Sequence, residues 1–567
     1  MKKRTLLTCG LAAALFAGCS SDDKLTVDDG TVSNSGTGYL ALNISLPSTS
    51  ANGSRSDEFS GTGDQSNDKF NQGTAKEYNV NNLYLICYKS GTAVQAFEYT
   101  ATDLAWSTPP TDASGITTDA VLKVEPVDKD VTHVLVLINK PDDMSIELKT
   151  GKITYKSNVY TKFTDGTNGF DNVLLEGDLT GGGDKFFMSN APLSDGSKVV
   201  TLVSVKPKPT AAEAQADIRT VHVERAVGKV NMAHATTGWS NWKYSVTATG
   251  YSGDEVTFNK WLLDIKNIKT YAVRQYDKAW ESLTGLTTPR FFGDKVYACK
   301  DELGNSAMYG RTYWAKDHNY NNTYTAGDFS KVQTTDFTAL SDNMDTKLYC
   351  NENTFQVKNM EQRQSTRVVL QATYKPYKEA SWGTESDGTW YRLGNSNTPY
   401  NATEVNALIQ KVNGCSSVEI KTNLGGISNQ KFTANELNNL DPDPTTQANQ
   451  LAAINKALGS LTVYAKGICY YVVRIQHFGD KYTPWTAGEN YITNEGYAAI
   501  SNPDAKYLGR YGILRNNWYE IEINKVSSPG DATIPDPDKV ADDVQNYYIQ
   551  ANVKIMDWAV RKQSVNL

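Results

Sequence analysis

Residues able to do chemistry are few in this 567-residue chain, and they are scattered. The five histidines, His133, His222, His234, His318 and His477, share no helical pairing and no ligand spacing. They read as structural or surface histidines. Beyond the first twenty residues the cysteines are Cys87, Cys299, Cys350, Cys415 and Cys469, and no two are close enough for a zinc knuckle. Five is an odd number, so at least one thiol is free or pairs between chains. Cys87 and Cys469 stand in apolar runs, as buried thiols do. The phosphate-cradling, dinucleotide, zincin and nucleophile-elbow motifs are absent. Asp441-Pro442-Asp443-Pro444 lacks the glycine and the spacing of a calcium loop. Carboxylates are plentiful, but no pattern singles out an acid/base pair. The sequence therefore points to no enzyme, no cofactor and no metal ion.

Two residues near the N-terminus carry a different chemistry, that of processing. Lys2, Lys3 and Arg4 precede an apolar run from Leu6 to Phe16, too short to span a bilayer as a helix. Ala17-Gly18-Cys19 follows, with small residues directly before a cysteine. This is the form of a bacterial lipoprotein signal, which makes Cys19 the acylated first residue. An ordinary secretory signal cut nearby is the alternative. Several acyl chains at about 0.8 kcal/mol per buried CH₂ give stable anchoring. Ser20-Ser21-Asp22-Asp23 reads either as a surface-export signal or as a solvated tether. Arg55 is the only basic residue between Lys24 and Lys69, in a stretch rich in Ser, Asn, Gly and Asp. An isolated arginine in such a segment is an accessible site for a trypsin-like protease, with Ser56 on the far side of the cut. A plain surface arginine is the other reading.

The elements around these residues are mostly strands. Leu40, Leu42, Ile44 and Leu46 alternate with polar or small residues and predict one strand with an apolar face, ended by Pro47. Val80 to Tyr88, His133 to Ile138 and Lys198 to Val205 predict further strands. Lys206-Pro207-Lys208-Pro209 and the Ala/Glu/Gln stretch after it suggest a domain boundary, with a fresh strand from Ile218 to Val230 opening the second domain. Strands at 367–374, 461–475 and 517–523 follow. Two helices are expected, one capped by Thr403 with Val405, Leu408, Ile409 and Val412 on one face, the other from Thr446 to Leu458. Residues 527–546 read as an extended acidic linker of Pro and Asp. In the tail, Ile549, Ala551, Val553 and Ile555 share a face, and Trp558, Val560 and Val565 come after a break in register. Behind so long a linker the tail is free to pair with another chain, or to dock as the last strand of its own sheet. The net charge of −7 offers no basic excess for phosphates, which argues against nucleic acid.

The chain resembles the fimbrillins of the strand-exchange (type V) pili of Bacteroides-like bacteria, and among them the major subunits of the minor, or short, fimbriae. The resemblance rests on the Cys19 signal, the strand before Arg55, and Leu83-Tyr84-Leu85-Ile86. It continues in Phe187-Met188-Ser189, Val223-Glu224-Arg225-Ala226, Arg367-Val368-Val369-Leu370, Arg515-Asn516-Asn517-Trp518-Tyr519-Glu520-Ile521 and Val553-Lys554-Ile555-Met556-Asp557-Trp558. It implies a mainly β protein of two β-sandwich-like (transthyretin-like) domains with a few short helices. The implied division is a signal peptide (1–18), a lipidated propeptide (19–55), two domains (56–216 and 217–526), the linker (527–546) and a donor strand (547–567). It further implies palmitate on Cys19, an outer-membrane precursor, an arginine-specific protease cutting after Arg55, and a removable strand bearing Leu40, Leu42, Ile44 and Leu46. The groove so opened would take the donor strand of another copy, with Ile549, Val553, Ile555, Trp558, Val560 and Val565. Five buried aliphatic side chains would contribute on the order of 10 kcal/mol. The implied partners are other copies, anchor and tip or accessory subunits, and a host or bacterial surface receptor, in a fimbrium that serves adhesion and biofilm. Two other readings stand beside it: a tip or accessory adhesin of the same pili, and a non-polymerising glycan-binding surface lipoprotein. Eleven Trp and thirty-two Tyr could build sugar platforms, although most are expected in the core.

Overall fold

The structure, a computed structural model, describes residues 36–45, 74–104, 119–123, 125–194, 198–277, 280, 297–300, 306–312, 314–320, 322–382, 387–478, 507–537 and 549–557. Strands dominate, as the period-2 patterns predict. The N-terminal sheet is built from β2 (Leu42–Ser45), β3 (Asn82–Lys89), β4 (Thr92–Thr100), β5 (Asp119–Val121), β7 (His133–Ile138), β8 (Met188–Asn190) and β9 (Arg219–Arg225). Their order across the sheet is β4-β3-β7-β8-β9-β2-β5. β3 and β7 are the continuous apolar runs of the sequence and lie in its interior, where both faces are covered. A small second ladder joins β1 (Thr37–Leu40) to β6 (Glu125–Asp128). One apolar core is common to all of them.

The C-terminal half holds two larger sheets. One has the order β12-β10-β15-β16, from β10 (Val227–His234), β12 (Lys347–Asn351), β15 (Asn517–Val526) and β16 (Ile549–Asp557). The other centres on β11 (Glu255–Asp264), β13 (Arg367–Lys375) and β14 (Ile468–Arg474). Between β13 and β14 the chain builds a separate small core. There α1 (Ala402–Ile409) and α2 (Pro444–Leu458) cover a three-stranded sheet that includes Trp390–Leu393 and Leu461–Tyr464.

Four expectations are corrected. The strand read as continuous from Leu40 to Leu46 breaks at Ala41, because its two halves pair with different partners, β6 and then β9 with β5. β9, read as the opening of the second domain, is hydrogen-bonded inside the N-terminal sheet, and the chain crosses to the next sheet only at Ala226. The cap of α1 is Asn401, not Thr403. Its side chain accepts from the Glu404 N–H, and Glu404 returns the bond to the Asn401 N–H. The first part of the supposed linker is docked rather than extended. Asp531 exchanges two backbone bonds with Tyr470, while Tyr464 and Tyr471 donate their hydroxyls to the carbonyls of Gly530 and Ser528. A Cβ on Gly530 would stand 2.3 Å from the Tyr470 carbonyl oxygen, so this close approach needs glycine.

Candidate functional site

The N-terminal segment is a working part of the core. Leu40, Leu42 and Ile44 are 5%, 1% and 0% exposed and pack into the N-terminal core cluster. The alternation explains this, since residues two apart on a strand share a face. β2 runs parallel to β9, with Leu42 opposite Arg219 and Ile44 opposite Val221. On its other side it is antiparallel to β5, with Asn43 opposite Val121 and Ile44 opposite Ala120. The Arg219 N–H donates to the Ala41 carbonyl (3.2 Å) and the Leu122 N–H to the Leu42 carbonyl (2.8 Å). β2 therefore lies between two strands, and β9 and β5 are joined only through it among the described residues. β1 is fixed by β6 and by a pair of backbone bonds between Tyr39 and Lys208 (2.8 and 2.9 Å). A Cβ at Gly38 would stand 2.6 Å from the Pro207 Cβ, so β1 approaches the 207–208 backbone too closely for another residue. Burying the three aliphatic side chains contributes at most about 5–9 kcal/mol.

The C-terminal strand occupies the opposite kind of position. β16 pairs antiparallel with β15 of its own chain, from Val526 opposite Ile549 to Asn517 opposite Asp557. It forms the edge of its sheet. Ala551, Val553 and Ile555 stand opposite Ile523, Ile521 and Tyr519, and these three residues of β15 are buried. Of the two dockings left open by the sequence, this is the one within the chain. Cys19, Leu46, Arg55, Ser56, Trp558, Val560 and Val565 lie outside the described residues.

A buried charged pair, Glu77 and Lys229, links the segment at 74–78 to β10 and β15, and sequence reasoning missed it. Glu77 follows the segment that contains Arg55. Its carboxylate takes the Lys229 ammonium (2.7 and 2.8 Å), the Tyr349 hydroxyl (2.7 Å) and the Thr74 N–H (2.9 Å). Its carbonyl accepts from Arg225 Nε at 2.8 Å. The Lys229 ammonium sits 3.4 Å over the ring of Trp518, on the strand that holds β16. Burial pushes the Lys229 ammonium down to about 7, against the pull of Glu77. Burial raises the Glu77 carboxyl, but Lys229, Tyr349 and Thr74 together bring it below its usual value. Three further ion pairs are buried: Glu224–Arg274 (2.8 Å), Arg515–Glu352 (3.2 Å) and Arg367–Asp264 (2.7 Å). The signal was present: Glu224, Arg225, Arg367, Arg515 and Trp518 all belong to the motifs quoted above. Their convergence in space was not legible.

Cys87, Cys350, Cys415 and Cys469 are free and buried, and burial pushes the thiols of Cys87, Cys350 and Cys469 up to about 12. Among the described residues no group of three or more His, Cys, Asp or Glu is placed to hold a metal ion.

Fold and site together define a mainly β protein with an internal N-terminal strand upstream of a basic cleavage candidate and a peripheral C-terminal strand. Residues 490–564 match the family described as "Major fimbrial subunit protein type IV, Fimbrillin, C-terminal". Over these residues the chain is similar to the C-terminal region of fimbrillins, in line with the resemblance drawn from its motifs there. Solved structures similar to it include a fimbrilin (fimA) from Porphyromonas gingivalis W83, at 11% identity over 94% of this chain and 100% of that one, with a TM-score of 0.33. A fimbrial assembly protein from Parabacteroides distasonis ATCC 8503 aligns at 10% identity over 60% and 84%, with a TM-score of 0.28. The tip fimbrial protein Mfa3 from Porphyromonas gingivalis, with C-terminal truncation, aligns at 11% identity over 92% and 100%, with a TM-score of 0.28. At these scores the likeness says nothing about the assembly of this chain. No curated protein matches the sequence.

Proposed function

We propose that the protein is a structural subunit of an adhesive fimbrium, exported as a lipoprotein on Cys19 and activated by an arginine-specific protease that cuts between Arg55 and Ser56. The observation that carries this reading is the place of β2. Residues 42–45 stand between two strands, upstream of Arg55, with their apolar side chains in the core. Loss of the segment would leave a slot flanked by unpaired backbone groups on β9 and β5. Such a slot invites strand addition. The occupant is the C-terminal segment of another copy, and head-to-tail filling does not close, so it yields a filament. While the strand is present the slot is full, and cleavage acts as the switch. Anchor and tip or accessory subunits would complete the fimbrium, with the polymer outside the cell and the uncut lipoprotein on the outer membrane.

The test is a limited digest of the full chain with an arginine-specific protease, followed by N-terminal sequencing and unboiled gels. A new N-terminus at Ser56 with ladders of polymer is the expected result. Equal polymerisation of the uncut chain refutes the switch. A cut at Arg55 without polymer moves the protein to the tip or accessory adhesins. No cut there revives the glycan-binding lipoprotein.

A further inference from the structure

We infer that Glu77 and Lys229 condense into an amide, a side-chain cross-link that ties the segment at 74–78 covalently to β10. The inference concerns a modification of the chain itself and does not depend on strand exchange.

The two residues stand 152 positions apart, and the fold brings them into one contact. Both side chains are 0% exposed. Lys229 Nζ lies 2.7 Å from Glu77 Oε1 and 2.8 Å from Oε2. With the short C–O bonds of a carboxylate, these two distances put Nζ about 3 Å from Cδ, the separation of a near-attack contact. The Trp518 ring, 3.4 Å from Nζ, forms an apolar wall to the site. As an ion pair the two groups bear the desolvation cost of two buried charges, whereas an amide carries none. Condensation removes both charges and releases one water. The enforced contact and the burial of the site favour it.

The surroundings supply the chemistry. Burial has already weakened the hold of Lys229 on its proton. Passing that proton from Nζ to the carboxylate leaves an amine and a carboxylic acid. Rotation about Cγ–Cδ turns the carboxyl face to Nζ, whose lone pair forms the bond to Cδ. The Tyr349 hydroxyl donates to Oε1 at 2.7 Å and the Thr74 N–H donates to Oε2 at 2.9 Å, so both oxygens of the tetrahedral adduct have a donor. The bond from Cδ to one oxygen then breaks. That oxygen leaves as water, with the acid proton and one proton from Nζ. Nothing is oxidised or reduced, and no second molecule is consumed. Arg225 Nε, donating to the Glu77 carbonyl at 2.8 Å, holds the backbone of the segment in place meanwhile. The product closes residues 77–229 into a covalent loop that contains β3 to β9. Tension applied beyond either end of the loop then cannot extend the chain within it.

The test is a trypsin digest of the purified, denatured full chain, read by mass spectrometry. The expected product is a branched peptide that joins the stretch ending at Lys89 to residues 226–243, uncut after Lys229. Its mass is expected to be about 18 Da below the sum of its two arms, one water. Recovery of the two arms as separate peptides, with full cleavage after Lys229, overturns the inference and leaves a plain buried ion pair. Tyr349→Phe keeps the pair and removes one donor. At a fixed time after synthesis its linked fraction is expected to fall at least about tenfold, with unchanged circular dichroism. An undiminished fraction overturns the part assigned to Tyr349.

Discussion

Replacing Ile44 by alanine in the uncut chain tests whether the N-terminal strand is part of the core. Ile44 is fully buried, between Val221 of β9 and Ala120 of β5. The change removes three carbons, about 2.4 kcal/mol of transfer free energy at ~0.8 each. The space left behind is closed on both sides by strands, so the cavity adds to that figure. The expected loss is about 3–4 kcal/mol, inside the observed range of roughly 2–5 for such truncations. With a urea slope of about 2–3 kcal/mol per molar for a unit of this size, the unfolding midpoint of the N-terminal unit falls by more than about 1 M. Asn43→Ala, one residue away on the outward face, is the control and shifts stability by under about 0.5 kcal/mol. The measurement is urea unfolding followed by fluorescence. The reasoning also demands that the difference vanish after cleavage at Arg55, because residue 44 then belongs to the released fragment. A midpoint shift below about 0.3 M in the uncut chain, or a shift that survives cleavage and removal of the fragment, refutes it.

The buried pair gives a second prediction. Lys229→Met leaves the Glu77 carboxylate buried without its ammonium partner and is expected to cost about 3–5 kcal/mol. Adding Glu77→Leu is expected to recover at least half of that, and strictly additive losses in the double-mutant cycle contradict the pairing. A third concerns pH. Burial pushes the Asp531 carboxyl up to about 6 from an ordinary 3.8. Its folded value lies above its unfolded one, so its contribution is fully present below pH ~3.8 and is lost as pH rises through about 6. Asp531→Asn removes this loss. The stability of the variant relative to the parent is expected to rise by about 3 kcal/mol between pH 3.5 and 7 in urea titrations, and a flat difference counts against a buried ionisable Asp531.

Much of the fold was legible because strand pairing on a buried sheet leaves a period-2 or continuous apolar signature. Leu40, Leu42 and Ile44 were read as one face of a strand and are found in the core. Leu83 to Ile86 and Val134 to Ile138 lie in neighbouring interior strands. What failed depends on partners far away in sequence. The break at Ala41 exists because β1 and β2 answer to different strands, one near residue 126 and one near residue 220. Alternation cannot register a change of partner. The domain boundary was drawn where composition changes, at Lys206 to Asp217, but the chain changes sheets at Ala226 inside one apolar stretch. The Glu77–Lys229 pair was invisible because charged residues far apart in sequence read as two surface charges unless their burial is known. The docking of Ser528–Asp531 escaped for a similar reason: Pro, Gly and Asp announce irregular backbone, not whether it finds hydrogen-bond partners.

The two terminal strands differ in a way that bears on why cutting matters. β2 has a ladder on each side, and β16 has a ladder on one. A strand tethered to its own slot competes at an effective concentration of the order of millimolar, far above any free concentration of a second copy. Under the proposed switch, an intact tether keeps a competing donor out even when the two segments fit equally well. Severing the chain converts the resident strand into a separate fragment, which can diffuse away. A donor from another subunit then has the advantage of remaining attached to a growing polymer. On this account the donor needs no tighter fit than the resident strand. Under the proposed switch, the peptide bond after Arg55 decides which strand fills the slot. A chain in which Arg55→Ala blocks the cut should therefore remain monomeric at subunit concentrations where the cut chain polymerises. If it polymerised at the same rate, the tether would not be what keeps the slot closed.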